Sequence, residues 1–188
     1  MTLFPNWFDG QKYNFEIYLP HLQDKPNMRF LQIGVYTGDA SVWLAENILT
    51  DPTSSLIDVD TWAGSDEPEH SRIDFEHVYE YYRRRLSPYT NVGWVRKTSD
   101  DFFSKVAEEL FDFIYIDGGH TEEQVAKDAN DAWRCLKPNG ILAFDDYMWG
   151  QDLPPHLTPR PAIDAFLEKH EGRYDLLTKE YQVWIRKL

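Results

Sequence analysis

The stretch FIYIDGGHTEEQVAKDANDAWRCLKPNGILAFDDYMW, residues 113–149, contains two short apolar segments separated by an amphipathic one. The apolar segments, 111–116 and 141–144, are rich in β-branched and aromatic residues and end in acidic ones, which is typical of buried parallel strands. Between them, residues 121–136 carry apolar side chains at helical spacing. This order predicts a right-handed βαβ unit whose two strands run parallel and can lie side by side.

Local signals mark both ends of the predicted helix. Thr121 and Gln124 form a capping box at its start, and the Pro-Asn-Gly segment 138–140 follows its end. The single cysteine, Cys135, falls on the inner side of this helix and has no partner for a disulfide. We therefore expect Cys135 to pack in the core.

Acidic residues follow both strands of the predicted unit. Asp117 follows the first strand, and Asp145 and Asp146 follow the second. Because the carboxyl ends of adjacent parallel strands meet about 5 Å apart at the edge where open α/β sheets bind ligands, we expect the three carboxylates to lie close together. They would repel one another without a positive charge between them. The pattern favours a site for a hard cation such as Mg²⁺, with an ordinary polar strand end as the alternative.

His120 follows Asp117 by three residues. A histidine with an unperturbed pKa of about 6.5 can remove a proton at neutral pH. Taken alone, a histidine before a helix cap more often points to solvent. The closeness of His120 to Asp117 favours the role of a catalytic base.

The rest of the chain alternates between predicted strands and helices. Further predicted strands are 29–33, 55–59, 92–97, 174–177 and 182–186, and further predicted helices are 14–22, 40–49, 69–86, 100–110 and 162–169. Together with the βαβ unit they predict an α/β fold with a doubly wound, seven-stranded, mostly parallel sheet that ends in an antiparallel hairpin. The length of 188 residues suits one domain, 1–188.

The turn after the first predicted strand, QIGVYTGDAS at 32–41, places Gly34 and Gly38 where a backbone must approach a ligand closely. It lacks the glycine spacing of a dinucleotide site, and Asp39 would oppose a pyrophosphate at the helix start. A cofactor with positive groups and no phosphate fits this turn better. A tight turn with an aspartate cap is an equally good explanation.

Two later strand ends carry further candidates. After the second predicted strand, Asp60 is better placed than Asp58 to accept the two hydroxyls of a ribose. After the third, Thr98, Ser99 and Asp100 either meet the edge of an adenine or form the N-cap of the next helix.

Charge and composition disfavour several classes of function. The chain has 19 basic and 32 acidic residues, a net charge of −13, which makes it a poor partner for nucleic acid or an anionic membrane. The one basic run, 83–85, falls at a predicted helix end, where cations interact favourably with the helix dipole. The amino terminus resembles no targeting signal and no segment reaches the length of a membrane span, which predicts a cytosolic protein.

In combination these motifs resemble those of class I S-adenosylmethionine-dependent methyltransferases. The motifs are Gly34-x-x-x-Gly38, Asp60-Thr61-Trp62, Ser99-Asp100, Ile116-Asp117-Gly118-Gly119-His120, Leu136-Lys137-Pro138-Asn139-Gly140 and Asp145-Asp146-Tyr147. The resemblance spans nearly the whole chain and implies a Rossmann-like fold. The latter half is most similar to metal-dependent O-methyltransferases that act on sugars of macrolide and aminocoumarin antibiotics, and more distantly to the catechol type.

The resemblance implies a role for each matching position. It implies that Asp117, Asp145 and Asp146 bind a divalent cation, most simply Mg²⁺, and that His120 is the catalytic base. The S-adenosylmethionine site would be lined by Gly34, Gly38, Asp60, Ser99, Asp100 and Asp117. The expected reaction is methylation of a hydroxyl on a small molecule or sugar; a cofactor-binding protein that is metal-free or non-catalytic is the alternative.

Some positions depart from the family pattern. Gln32 and Gly119 stand where the family frequently has an acidic residue. The chain is also short for a sugar-modifying member, so we expect either a larger acceptor or a pocket completed by another subunit of a homo-oligomer. Residues 62–87 are expected to form a small cap or a solvated surface, with His70 and His77 on one helix face.

Aromatic residues border the same predicted edge. Trp62, Tyr147 and Trp149 would form an apolar or sugar-stacking wall, or pack in the core. A nucleic-acid methyltransferase is disfavoured, because it would need a basic face, and amino-directed types usually carry an Asn/Asp-Pro-Pro-aromatic segment where this chain has Asp117-Gly118.

Overall fold

The computed structural model describes residues 4–64 and 72–188. Within them the strands are β1 Arg29–Ile33, β2 Ser55–Asp60, β3 Val92–Arg96, β4 Phe111–Ile116, β5 Leu136–Phe144, β6 Tyr174–Lys179 and β7 Val183–Lys187. The helices are α1 Lys12–Tyr18, α2 Asp39–Asn47, α3 Phe75–Leu86, α4 Ser99–Phe103, α5 Glu122–Cys135 and α6 Arg160–Lys169. No helix in these described segments is long and apolar enough to cross a membrane.

The strands form one seven-stranded sheet in the order β3-β2-β1-β4-β5-β7-β6. Strands β1 to β5 pair in parallel, and β7 runs antiparallel to both β5 and β6. The predicted α/β fold, with its mostly parallel sheet and closing hairpin, is confirmed. From β1 the chain adds β2 and β3 towards one edge of the sheet, and it then crosses back to add β4 on the other side of β1. Ligands of open α/β sheets bind at such a switch point, outside the carboxyl ends of the strands.

The predicted βαβ unit positions the acidic residues. In the register of β4 and β5, Ile116 lies opposite Phe144, so the next residues, Asp117 and Asp145, emerge together. The Asp145 amide donates to the Ile116 carbonyl at 2.9 Å. The two strands therefore deliver their acidic ends to one place, as the sequence predicts.

Apolar side chains cover both faces of the sheet. Helices α4, α5 and α6 pack on one face through residues such as Trp133 and Phe166. Helices α1, α2 and α3 pack on the other through Phe15, Leu44 and Tyr82. Residue 135, the cysteine, is buried in the first of these clusters, as predicted.

The start of α5 is only half as predicted. The Thr121 hydroxyl caps the helix by accepting from the Gln124 amide at 3.3 Å. The Gln124 side chain, however, turns towards α4 and donates to Ser99, Asp100 and Asp128. In a capping box this side chain would accept from the Thr121 amide; no such bond forms among the described residues, so that part of the prediction is wrong.

Two predicted helices are too long. The predicted helix 100–110 stops at Phe103, because the Arg134 guanidinium donates to the carbonyls of Phe103 and Val106 at 3.0 and 2.9 Å and satisfies them outside a helix. The predicted helix 14–22 ends at Tyr18, where Pro20 begins a separate 3₁₀ turn.

The region after β2 lies partly outside the described residues. Helix α3 begins at Phe75 with Asp74 as its N-cap, and residue 70, one of the two predicted cap histidines, is among those not described. His77 lies on α3, where Phe4 packs edge-on against its ring at 5.5 Å.

Candidate functional site

A cavity of about 600 Å³ opens at the carboxyl ends of the central strands. That size is within the range of small-molecule and cofactor sites. Among the predicted site residues, those that line it are Gly34, Asp60, Ser99, Asp117, His120, Asp145 and Asp146. Two predicted cofactor residues lie elsewhere: Gly38 packs behind the loop against α3, and Asp100 is exposed and lines a separate groove beside α5.

Gly34 permits the close approach of the loops after β1 and β4. Its φ is +79°, and a Cβ at this position would lie 1.8 Å from the carbonyl oxygen of Asp117. Gly38, also at positive φ, is the N-cap of α2. Asp39, predicted as a possible cap, instead accepts from Thr37 at 2.7 Å and pairs with Arg85. The aspartate cap is therefore wrong.

Asp60 holds the same loop from β2. Its Oδ2 accepts from the amides of Val35 and Tyr36 at 2.7 and 3.0 Å, and its Oδ1 accepts from the amide of Trp62 at 2.7 Å. A carboxylate has about four acceptor positions, so one is left for a ligand hydroxyl. Behind it, Gln32 donates to the Gly34 carbonyl at 2.9 Å. The loop is thus fixed by the protein's own polar groups.

Asp58, the less favoured ribose candidate, faces the core. Its Oδ2 accepts from the Tyr82 hydroxyl at 2.8 Å. Burial raises the pKa of Asp58 to about 7, because the charged carboxylate loses its hydration. Its position away from the cavity agrees with the choice of Asp60.

At the β4 and β5 end of the cavity, Asp117, His120 and Asp146 converge. One ligand atom of each lies within 4.8 Å of those of the others, and His120 Nε2 is 2.9 Å from Asp146 Oδ2. Burial, followed by the charges of Asp145 and Asp146, raises the pKa of Asp117 well above its usual range. A cation among these groups would relieve that repulsion, which is the chemistry expected of a carboxylate metal site.

Asp145 lies beside this group and is bonded to other residues. Its Oδ2 accepts from the Tyr115 hydroxyl and, at 3.0 Å, from Gln182 Nε2, while its Oδ1 accepts from the Asp146 amide at 2.7 Å. Burial raises the pKa of Asp145 to about 7. The structure thus gathers Asp117, His120 and Asp146, with Asp145 bonded beside them.

Residues 31–147 match the sequence model of a methyltransferase domain family. The chain belongs to this family. No curated protein sequence matches the chain significantly.

Solved structures of other methyltransferases share the fold of this domain. A methyltransferase from Podospora anserina with S-adenosylhomocysteine (SAH) bound has 19% identity over 86% of this chain and 72% of its own, with a TM-score of 0.59. A SAM-dependent methyltransferase from Aquifex aeolicus has 15% identity over 97% and 94%, with a TM-score of 0.61. An rRNA methylase from Streptococcus thermophilus has 12% identity over 93% and 94%, with a TM-score of 0.61. At these identities the likeness is one of fold.

Several lining residues of the methyltransferase domain escaped the sequence analysis. Tyr181, in the turn between β6 and β7, donates its hydroxyl to Asp146 Oδ1 at 2.9 Å. Asp128, on α5, also lines the cavity. A hint for Asp128 was its i, i+4 spacing from Gln124 on one helix face; nothing local in the sequence connects Tyr181 to Asp146.

The predicted aromatic wall forms only in part. Trp149 packs on His120, with ring centroids 4.3 Å apart. Trp62 is almost wholly buried and donates from its ring to the Tyr36 carbonyl at 2.9 Å. Tyr147 is buried as well. Elsewhere in the cavity lining, Trp7 stacks on Tyr36 with ring centroids 4.4 Å apart, so the amino-terminal segment supplies an aromatic surface that the sequence analysis did not assign.

Proposed function

We propose that this methyltransferase uses S-adenosylmethionine to methylate a hydroxyl of a small-molecule or sugar acceptor, assisted by a divalent cation, most simply Mg²⁺. The convergence of Asp117, His120 and Asp146 at one end of the cavity carries the proposal. The fold supports it, since a methyl donor held along the glycine loop would present its sulfonium towards that end.

The loop residues suit this methyl donor. S-adenosylmethionine carries positive sulfonium and ammonium groups and no phosphate, and the cavity is lined by carboxylates that include Asp60 and Asp117. The remaining acceptor position of Asp60 would take a ribose hydroxyl. Because Val35, Tyr36 and Trp62 already fix this carboxylate, the site would need little rearrangement on binding.

The carboxylates also suit a hard cation. Asp117 and Asp146 would supply oxygen ligands, and Asp145 would join them by exchanging its bonds to Tyr115 and Gln182. A bound divalent cation would supply Lewis acidity that lowers the pKa of an acceptor hydroxyl.

His120 would act as the general base. In the structure His120 Nε2 contacts Asp146 Oδ2 at 2.9 Å. When Asp146 turns to the cation, Nε2 would be released to take the hydroxyl proton, and the nearby carboxylates would stabilise the imidazolium that results. The acceptor oxygen then forms a bond to the methyl carbon, and the carbon–sulfur electron pair returns to sulfur, leaving neutral SAH. Trp149, packed on the imidazole, would hold the base in line for this transfer.

The choice of a small acceptor over a nucleic acid is argued from the net charge of the chain. A net charge of −13 opposes binding to a phosphate backbone. One solved neighbour is an rRNA methylase, so RNA belongs among the acceptors to be tested.

The single-domain organisation and the cytosolic location, both expected from the sequence, also stay predictions.

Calorimetric titration tests the proposal. S-adenosylmethionine and then Mg²⁺ would be titrated into the wild-type protein, Asp146→Asn and His120→Ala. Asp175→Asn, which breaks the exposed pair with Arg186 on the terminal hairpin, is the matched control. We expect all four proteins to bind the cofactor, Asp146→Asn to lose at least about tenfold in Mg²⁺ affinity, and His120→Ala to keep both ligands while losing methyl transfer to a panel of vicinal diols.

Each failure points to a different correction. If the wild-type protein binds no S-adenosylmethionine, the proposed methyltransferase activity is wrong. Cofactor binding without Mg²⁺ binding would favour a metal-free or non-catalytic protein. Methyl transfer to RNA but to no small acceptor would overturn the acceptor class.

A further inference from the structure

A network of buried polar side chains lies beneath the loop after β1, on the sheet face that α2 and α3 cover. Its members are Gln32 on β1, Ser41 on α2, Asp58 on β2 and Tyr82 on α3. Gln32 lies opposite Asp58 in the register of β1 and β2, so both side chains point to the same face. All four residues are at most 2% exposed. Polar groups buried this deeply need hydrogen-bond partners inside the protein.

The direction of the hydrogen bonds in this network follows from the Gly34 carbonyl. Gln32 Nε2 donates to that carbonyl at 2.9 Å, and because a carbonyl can only accept, this contact fixes the orientation of the Gln32 amide. Ser41 Oγ donates its single proton to Gln32 Oε1 at 3.2 Å. With its proton committed, the Ser41 hydroxyl can only accept any further hydrogen bond.

Asp58 is satisfied at one of its two oxygens. Its Oδ2 accepts from the Tyr82 hydroxyl at 2.8 Å, whereas its Oδ1 has no hydrogen-bond partner among the described residues. Ser41 lies close enough to influence the pKa of Asp58, but its proton is given to Gln32. An ionised Asp58 would therefore keep a buried oxygen without a donor. A neutral Asp58 with its proton on Oδ1 would donate to Ser41 Oγ and give every member of the network a partner.

The surroundings of Asp58 favour this neutral carboxyl group. Burial is the largest influence and raises the pKa of Asp58, the hydroxyls of Ser41 and Tyr82 lower it, and the charge of Asp60 on the same strand raises it, to about 7. Its register partners on β1 and β3 are a glutamine and a tryptophan, which carry no charge. No cation of the described segments is among the groups that act on it. Nothing near Asp58 thus compensates a negative charge fully.

The departure from the family pattern at position 32 explains why this chain needs the network. An ionised acidic residue there would offer acceptors only and could not donate to the Gly34 carbonyl. Gln32 supplies that donor, but its own oxygen then needs one, which Ser41 provides. The acidic residue of this chain lies one strand away, at Asp58, where its proton completes the series of donors.

We propose that Asp58 is a positioning residue whose carboxyl proton, donated to Ser41, holds Gln32 and so keeps the loop after β1 in the form that binds the methyl donor. The step to binding rests on the proposed function. Gly34 lines the cavity, and its carbonyl, held from behind by Gln32, keeps a second lone pair for a donor in the cavity.

Loss of the Asp58 proton to solvent reverses this arrangement. The Ser41 hydroxyl turns to the carboxylate, which is the stronger acceptor. Gln32 Oε1 then has no donor, and its amide no longer holds the Gly34 carbonyl. Cofactor affinity therefore falls as the pH rises through the titration of Asp58.

Calorimetric titration with SAH at pH 6 and pH 8.5 tests this role. Asp58→Asn carries an amide that donates to Ser41 and accepts from Tyr82, so it reproduces the neutral carboxyl group at either pH. We expect the two proteins to bind SAH within about twofold of each other at pH 6, and Asp58→Asn to bind it about fivefold more tightly than the wild type at pH 8.5, the worth of about one hydrogen bond. The effect of pH on the ligand itself is common to both proteins and cancels.

A second substitution separates positioning from general stability. Ser41→Ala breaks the network between Asp58 and Gln32, so in that background Asp58→Asn should no longer strengthen SAH binding at pH 8.5. Ser54→Ala is the matched control, because Ser54 is also buried but donates to the Lys25 carbonyl at 2.7 Å, before the start of β2. With Ser54→Ala the fivefold advantage of Asp58→Asn should remain. Thermal unfolding shows whether each variant is folded.

The outcomes separate this inference from the proposed function. Equal SAH affinities of the wild type and Asp58→Asn at pH 8.5, or an advantage that persists in Ser41→Ala, overturn the role of Asp58 and leave the methyltransferase intact. An Asp58→Asn protein that does not fold overturns it too, since the amide reproduces the neutral carboxyl group. If Ser41→Ala does not fold, the two pH values decide alone. A wild-type protein that binds neither SAH nor S-adenosylmethionine at either pH overturns both.

Discussion

Single residues fix the loop after β1, which lines the cavity, before any ligand binds. Gly34 lets this loop touch the backbone of Asp117, Gln32 bonds the Gly34 carbonyl, and Asp60 accepts from two amides of the loop. A site fixed in this way loses little conformational entropy on binding. In the proposed function, the same residues would serve both stability and cofactor binding.

Replacement of Gly34 tests this close approach. We expect Gly34→Ala to lower the free energy of unfolding by about 3 kcal/mol or more, because its Cβ would overlap the Asp117 carbonyl at a positive φ. Urea unfolding followed by circular dichroism measures the change. Gly93→Ala is the control, since a Cβ there meets nothing within 4 Å, and it should shift stability by no more than about 1 kcal/mol. Equal effects of the two substitutions would contradict this account.

At the level of elements, the terminal hairpin completes the carboxylate site. Strand β7 runs antiparallel to β5, and its first residue, Val183, pairs with Phe144 at the end of β5. The beginning of β7 therefore lies at the same edge as the ends of the parallel strands. This places Tyr181 and Gln182, just before β7, against the Asp146 and Asp145 carboxylates.

Removal of the Tyr181 hydroxyl tests the contribution of the hairpin. We expect Tyr181→Phe to weaken Mg²⁺ binding about tenfold, because Asp146 loses the donor that orients it. Titration with Mg²⁺ gives the affinity. Tyr174→Phe removes a hydroxyl at the start of β6, where the hairpin is paired with Lys187 far from the carboxylates, and should leave the affinity unchanged. A tenfold loss in both variants would indicate that the hairpin acts only through general stability.

At the scale of the whole molecule, an acidic chain encloses several carboxyl groups. Burial raises the pKa of Asp58 and Asp145 to about 7 and that of Asp128 to about 6, whereas an aspartate in an unfolded chain has a pKa of about 3.9. The folded protein therefore binds these protons more tightly than the unfolded chain. The stabilisation is complete below the unfolded value and is lost as the pH rises towards the folded value.

The pH dependence of global stability tests this linkage through Asp58, which lies outside the carboxylate cluster. We expect the free energy of unfolding of the wild-type protein to fall, relative to Asp58→Asn, by up to about 1.4 kcal/mol per unit between pH 4 and pH 7, and then to level off. An amide resembles the neutral carboxyl group and can still accept from Tyr82, which bonds Asp58 at 2.8 Å. Denaturant unfolding without added metal measures both curves, and parallel curves would refute the raised pKa.

The sequence by itself determined the alternation of strands and helices, the closing hairpin, and the meeting of Asp117 and Asp145 at one edge. These follow from short-range patterns, since side-chain periodicity and the ends of parallel strands depend on neighbouring residues. Only the tertiary structure showed that α4 ends at Phe103, where Arg134 of α5 donates to the carbonyls of Phe103 and Val106.

The tertiary structure also decided which polar groups face one another. Asp145 turns towards Tyr115 and Gln182, Tyr181 reaches Asp146, and Asp128 enters the cavity from α5. Each of these contacts depends on how strands and helices pack across the sheet. Tyr181 and Asp146 are 35 positions apart in the sequence, so no local pattern predicts their hydrogen bond. The pairing of β5 with β7 brings the two side chains together in space.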